Sequence, residues 1–130
     1  MRNPVGIATG FAVGALTRWA PPNAAMDETR VQALEEAIRR SPTESFPRYA
    51  LALELSSSGR AAEAWPHFEY LLVNHPDYAA TYYHAGMLLV KQGREPEARK
   101  VFERGIEVTV KQGNRHAQSE LQAALNELAD

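Results

Sequence analysis

The sequence predicts an all-α fold, a right-handed stack of helical hairpins (an α-α superhelix) with about six helices and no strands. Two observations predict it. Between Ser45 and Gln112 the chain repeats with a step of 34 residues, and within each copy the apolar residues recur at helical spacing. A fixed period of this length indicates a repeat architecture whose units bury each other's apolar surface. The pairs that keep the step include Tyr49 and Tyr83, Leu53 and Met87, Gly59 and Gly93, Glu63 and Glu97, Ala64 and Ala98, and Phe68 and Phe102.

The second copy shows the two helices of one unit most clearly. The apolar face of its first helix consists of Tyr82, Ala85, Gly86 and Leu89. Gly93 is placed to end this helix, since glycine adopts the left-handed conformation that a helix C-terminus often needs. The next helix is expected to begin near Glu95, with Pro96 in its first turn, where the missing N–H costs little. The buried stripe of this second helix is Ala98, Val101, Phe102 and Ile106.

This unit resembles the tetratricopeptide repeat, which is about 34 residues long and orders an aromatic residue, Leu, Gly, Ala, Phe and Pro along its length. The second copy matches with Tyr82, Gly86, Ala98 and Phe102, and the first with Leu51, Ala52, Ala64, Phe68 and Pro76. Two residues depart from the pattern: Arg48 replaces an aromatic residue, and Val110 replaces the closing proline. The second departure implies that the last helix of the second repeat continues to Gln112 and stops at Gly113. The resemblance is to small bacterial-type members of the family.

Residues 1–25 differ in composition from the rest and are rich in Gly, Ala, Thr, Pro and Asn. They admit three interpretations: a flexible or artefactual leader, a targeting segment, or a docked helix. Arg2 before the apolar stretch 5–16 loosely resembles a secretory signal, but that stretch is too short to cross a bilayer. Met26 is a suitable alternative start.

The repeat domain is expected to cover residues 26–130. It divides into a half-repeat helix at 27–42, a first repeat at 45–78, a second repeat at 79–112 and a capping helix at 114–129. Asp27 is a good N-cap for the first helix. Thr43 or Ser45 is expected to cap the next one. Pro66 is expected to cause a local irregularity, because proline removes one backbone hydrogen bond of a helix.

The last helix is predicted to be capped by Asn114 and to be apolar on one side only. A terminal unit of a repeat stack needs a polar outer face for solubility. The apolar side is formed by Ala117, Leu121, Ala124, Leu125 and Leu128.

The composition excludes several classes of function. With 14 basic and 16 acidic residues the net charge is −2, so the chain lacks the excess of positive charge that a phosphate backbone attracts. It contains no cysteine, and hence no thiol nucleophile or cysteine-based zinc site. It also has no phosphate loop, HExxH pair or nucleophile elbow, and its four histidines lack ligand spacing. No catalytic residue, metal site or cofactor is therefore predicted, and the protein is not expected to be an enzyme.

The candidate binding residues lie one helical step from the predicted core stripe. Tyr49, Leu53, Tyr83 and Met87 resemble the set that lines the concave groove of tetratricopeptide repeats, and Phe46, His84 and Val90 lie nearby. Two aromatic–aliphatic pairs at the same period are expected to form a small apolar strip, and exposed apolar strips mark interaction sites. Tyr82 is assigned to the core.

The predicted function is a non-enzymatic protein-protein interaction module, an adaptor or assembly factor, which binds a peptide or helix in a concave, partly apolar groove. The alternative is a self-associating structural subunit that forms a homodimer through the same groove. Neither nucleic acid nor a membrane is an expected partner. The expected location is the cytoplasm, or the periplasm or exterior if residues 1–25 are a signal.

Overall fold

The structure, a computed structural model, describes the backbone of residues 22–128 and the side chains of residues 28–128. Six helices and no strand are present in this part of the chain, so the all-α prediction is confirmed there. They are α1 Pro22–Arg40, α2 Ser45–Ser57, α3 Ala61–Asn74, α4 Ala80–Lys91, α5 Glu95–Gln112 and α6 Arg115–Glu127. The interpretations of residues 1–25 concern a segment that, up to residue 21, lies outside the described residues.

The helices pack as hairpins that lean on one another. The helices α2 and α3 form the first hairpin, and α4 and α5 form the second. The helix α1 packs on α2, and α6 packs on both α5 and α4. The first helices of successive units also contact each other, α2 with α4 and α4 with α6. These three helices therefore form one continuous wall of the molecule.

Two clusters of buried side chains fill the stack. The cluster around Phe68 joins α1, α2 and α3 to α4, and the cluster around Phe102 joins α4, α5 and α6. Trp65, Leu72 and Val101 pack against both clusters, so the two hairpins share one apolar interior. Tyr82 is fully buried, which confirms its assignment to the core. Burying a side chain of this size contributes roughly 1.5–3 kcal/mol.

The turns inside the two hairpins are equivalent. Gly59 and Gly93 have φ values of 77° and 76°, a conformation that favours glycine. The following N–H groups, of Arg60 and Arg94, donate to the carbonyls of Leu55 and Leu89, each at 2.8 Å. This is the closing hydrogen bond of a Schellman motif. The predicted glycine turns are confirmed.

A close approach of helices explains two other glycines. A Cβ atom on Gly86 would lie 2.2 Å from the ring of Phe102, so α4 and α5 meet at a distance that only glycine permits. A Cβ atom on Gly105 would lie 2.5 Å from the Cβ atom of Tyr82. The sequence indicated the need for a small residue at Gly86, whereas it gave no reason to single out Gly105.

Two predicted helix starts are wrong. The first helix begins at Pro22 rather than after Asp27, because proline is favoured at the first helical position and residues 24–26 (Ala, Ala, Met) have high helix propensity. The N-cap of α2 is Glu44, not Thr43 or Ser45, and its side chain accepts no capping hydrogen bond. A tight turn, in which the N–H of Glu44 donates to Ser41, delivers the chain directly into the helix.

The other two predictions about helix ends and interiors have opposite outcomes. The cap at Asn114 is confirmed: its side chain accepts a hydrogen bond of 3.1 Å from the N–H of Ala117. The irregularity expected at Pro66 does not interrupt α3, which is continuous from Ala61 to Asn74. Ala62, whose carbonyl loses its partner, and Pro66 are both exposed, so water can solvate that carbonyl.

Candidate functional site

The wall formed by α2, α4 and α6 carries two adjoining clefts. The first, which we name the apolar cleft, lies between α2 and α4 beside α1 and has a volume of about 520 Å³. Leu53 of α2 and Met87 of α4 line it, and the buried side chain of Leu88 lies beneath them. Phe46, at the start of α2, stands at its edge with 63% of its surface exposed. An aromatic ring left in solvent beside aliphatic side chains provides apolar surface for a ligand.

Charged side chains border the apolar cleft at the end near α1. The Nε atom of Arg30 lies 2.8 Å from Oε1 of Glu54, whose side chain is only 13% exposed. Lys91, in the last turn of α4, lines the same cleft. The border of the apolar cleft thus carries both signs of charge, with one of its two cations already paired.

The second cleft, which we name the aromatic cleft, lies where α2, α4 and α6 meet and has a volume of about 290 Å³. It is lined by Tyr49, Tyr83 and His84 together with Glu120 of α6. The ring centroids of Tyr83 and His84 are 5.3 Å apart and those of Tyr49 and His84 are 5.9 Å apart, both in edge-to-face geometry. These contacts fix the orientation of the rings.

Burial governs the protonation of this cleft. Burial raises the pKa of Tyr49, with smaller contributions from Tyr78 and the carboxylate of Glu120, so the phenol stays neutral. Burial also lowers the pKa of His84 below its usual value of 6.5, an effect that Glu120 opposes. The imidazole is therefore neutral at pH 7, and Glu120 supplies the charge of the cleft.

The structure brings together six of the seven candidate binding residues. The apolar cleft contains Phe46, Tyr49, Leu53, His84 and Met87. Tyr83 lies instead in the aromatic cleft, which it shares with Tyr49 and His84. Val90 lines neither cleft and packs, half-buried, against the cluster around Phe102. The two tyrosines that the 34-residue step pairs therefore border one cavity.

Reasoning from the sequence missed the contribution of the outer helices. Arg30 of α1 and three residues of α6, Ala117, Glu120 and Leu121, also line the clefts. The same period carried one step further would have found part of this set. The positions 34 residues after Tyr83 and Met87 are Ala117 and Leu121.

Neither a metal centre nor a membrane-spanning helix occurs in the part of the chain that the structure describes. No group of three or more His, Cys, Asp or Glu side chains there is arranged to hold a metal ion. None of the described helices is long and apolar enough to cross a bilayer.

Comparisons with known proteins find relatives among solved structures. No family model and no curated protein matches the chain. The crystal structure of a tetratricopeptide repeat domain protein from Salinibacter ruber is 39% identical over 65% of this chain and 94% of its own, with a TM-score of 0.63. The solution NMR structure of such a domain from the same organism is 38% identical over 68% of this chain and 90% of its own, with a TM-score of 0.65. A protein from Bordetella parapertussis is 25% identical over 76% of this chain and 86% of its own, with a TM-score of 0.67.

Proposed function

The chain belongs to the tetratricopeptide repeat family, and on that premise we propose that it is a non-enzymatic adaptor or assembly factor that binds a peptide or helix of another protein in the apolar cleft. Repeat stacks of this family are typically interaction scaffolds rather than catalysts. The observation that carries the proposal is the exposure of Phe46 beside Leu53 and Met87. An apolar helix face laid along α2 and α4 would remove this surface from water.

The shape of the wall supports a linear ligand. The two clefts share Tyr49 and His84, so they form one path across α2, α4 and α6. A segment of several residues can follow such a path, whereas a small molecule needs an enclosed polar pocket. We propose the cytoplasm as the site of action, consistent with the absence of cysteine.

Selection of displayed random peptides against the full chain tests the proposal. Selected peptides are expected to carry apolar residues at helical spacing. Their affinity, measured by fluorescence anisotropy, is expected to fall about tenfold or more in Phe46→Ser and in Met87→Ser, the loss typical of a central contact. Val73→Ser is the matched control, since Val73 lies on α3, is 70% exposed and lines neither cleft. Selected peptides that bind all three variants equally would contradict the proposal.

The same variants examine self-association. If the apolar cleft closes a homodimer instead, light scattering is expected to show a dimer that Phe46→Ser and Met87→Ser dissociate and Val73→Ser leaves intact. A monomeric wild-type chain would exclude this alternative.

A further inference from the structure

The two clefts differ in charge. The apolar cleft has Arg30 and Lys91 at its border together with Glu54. The aromatic cleft has the carboxylate of Glu120, and the adjoining recess between α4 and α6 is lined by Glu120 and Glu127. No lysine or arginine among the described residues lines either of these two spaces. The α6 end of the wall is therefore acidic.

The carboxylate of Glu120 has no permanent cation as a partner among the described residues. Its one ion pair there is with His116, one helical turn earlier on α6, where Nε2 lies 3.5 Å from Oε2. The imidazole is charged only when protonated, and its side chain is largely exposed. Exposed pairs of this kind contribute little, so a stronger cation can replace the imidazole.

The aromatic rings of this cleft also lack the cations that other rings of the chain have. Arg48 lies over the ring of Tyr70, and Arg94 lies over Trp65. Within residues 28–128 no arginine or lysine stacks on Tyr49 or Tyr83. A cation placed beside a tyrosine face and near a carboxylate is attracted by both.

We propose that the aromatic cleft is a subsite for a protonated lysine or arginine side chain of the bound segment. The ammonium or guanidinium group would lie between the rings of Tyr49 and Tyr83 and pair with the carboxylate of Glu120. This inference rests on the proposed function, because the same segment would place an apolar side chain in the adjoining apolar cleft. It assigns the partner a chemical character: apolar residues followed by a basic one.

A pair of small probes tests the subsite without knowledge of the partner. N-acetyl-lysine N-methylamide and N-acetyl-norleucine N-methylamide have side chains of similar length and differ in the charged ammonium group. Each is titrated into the full isotope-labelled chain, and the amide resonances of Tyr83, Ala117 and Glu120 are followed by NMR. The lysine probe is expected to bind roughly three- to tenfold more tightly than the norleucine probe. The difference is expected to shrink as salt is added.

Three variants locate the effect. Glu120→Gln is expected to abolish the preference for lysine, and Tyr83→Leu is expected to weaken it because the ring face is lost. Glu107→Gln, on the exposed side of α5, makes the same charge change away from the clefts and is expected to have no effect. Equal affinities of the two probes, or a preference that survives Glu120→Gln, would overturn the inference.

The selected peptides separate this inference from the proposed function. Peptides that need Phe46 and Met87 but lack basic residues and bind Glu120→Gln normally would overturn the subsite and leave the proposed function intact. Peptides indifferent to Phe46 and Met87 would overturn the proposed function, whatever the lysine probe does.

Discussion

In the first repeat the guanidinium of Arg48 lies 3.8 Å from the centroid of the Tyr70 ring. One period later the two residue types are exchanged. Tyr82 occupies the position that corresponds to Arg48, Arg104 occupies the position of Tyr70, and the guanidinium lies 6.0 Å from the ring centroid. The two repeats thus keep a cation–aromatic pair between their helices while each helix supplies the opposite member.

The exchanged residues also serve the same loop carbonyl. The guanidinium of Arg48 donates to the carbonyl of Pro42 at 3.3 Å and 3.1 Å, and the hydroxyl of Tyr82 donates to that of Pro76 at 2.6 Å. The two prolines are themselves 34 residues apart. What the fold requires at this position is a long side chain with a donor at its tip. This requirement explains how Arg48 replaces the aromatic residue of the family pattern.

The repeats differ in where they place volume. Tyr82 is fully buried, and Gly105 leaves the space for it; Arg48 is only partly buried, and the corresponding position on its second helix is the buried Leu71. The larger side chain comes from the first helix in one repeat and from the second helix in the other. Interiors conserve total volume more strictly than they conserve the residue at any one position.

The largest expected effect concerns the feature that the two repeats have in common. Phe68 and Phe102 occupy equivalent positions and are both fully buried. Phe68→Ala and Phe102→Ala are each expected to lower the free energy of unfolding by roughly 3–5 kcal/mol, because each leaves a cavity in the shared interior. Chemical denaturation followed by circular dichroism measures both. A near-silent substitution in one repeat would show that the two cores are not equivalent.

A smaller effect is expected where the repeats differ. At an exposed helical position Gly→Ala stabilises by up to about 1 kcal/mol. Gly105→Ala is expected to destabilise instead, by roughly 1–3 kcal/mol, because the new Cβ atom would meet the Cβ atom of Tyr82, which cannot move without the backbone of α4. The midpoint of thermal unfolding measures the sign directly. A higher midpoint would mean that Tyr82 does not depend on the space at Gly105.

The sequence was sufficient for those features that depend on local pattern. The 34-residue step and the turn glycines Gly59 and Gly93 predicted the hairpins, and the helical spacing placed Tyr82 in the core. It was insufficient where a feature depends on contact between distant helices. Gly105 is silent in the pattern because its role depends on a side chain of α4, and Arg48 was an exception until its partner on α3 was seen.

The candidate site divides in the same way. The periodic pair Leu53 and Met87 was predicted because a repeat places equivalent residues on one wall, and both line the apolar cleft. The charges of the clefts come from outside the two full repeats, from Arg30 of α1 and Glu120 of α6. Their place depends on how the end helices pack, which no local spacing encodes. Val90 continued the pattern along the sequence but lies toward α5 and α6 in space.

The smallest expected effect comes from exchanging the pair in the first repeat. Arg48→Tyr and Tyr70→Arg are each expected to destabilise by roughly 0.5–1 kcal/mol, since each leaves two like groups facing each other across α2 and α3. The double variant is expected to recover much of this loss, and a four-protein cycle in denaturant gives the coupling energy. The recovery should be incomplete, because Leu71 closes the space that Gly105 opens in the second repeat, so a ring at position 48 stays partly exposed. Strict additivity would show that the exchanged pairs lie side by side without stabilising each other.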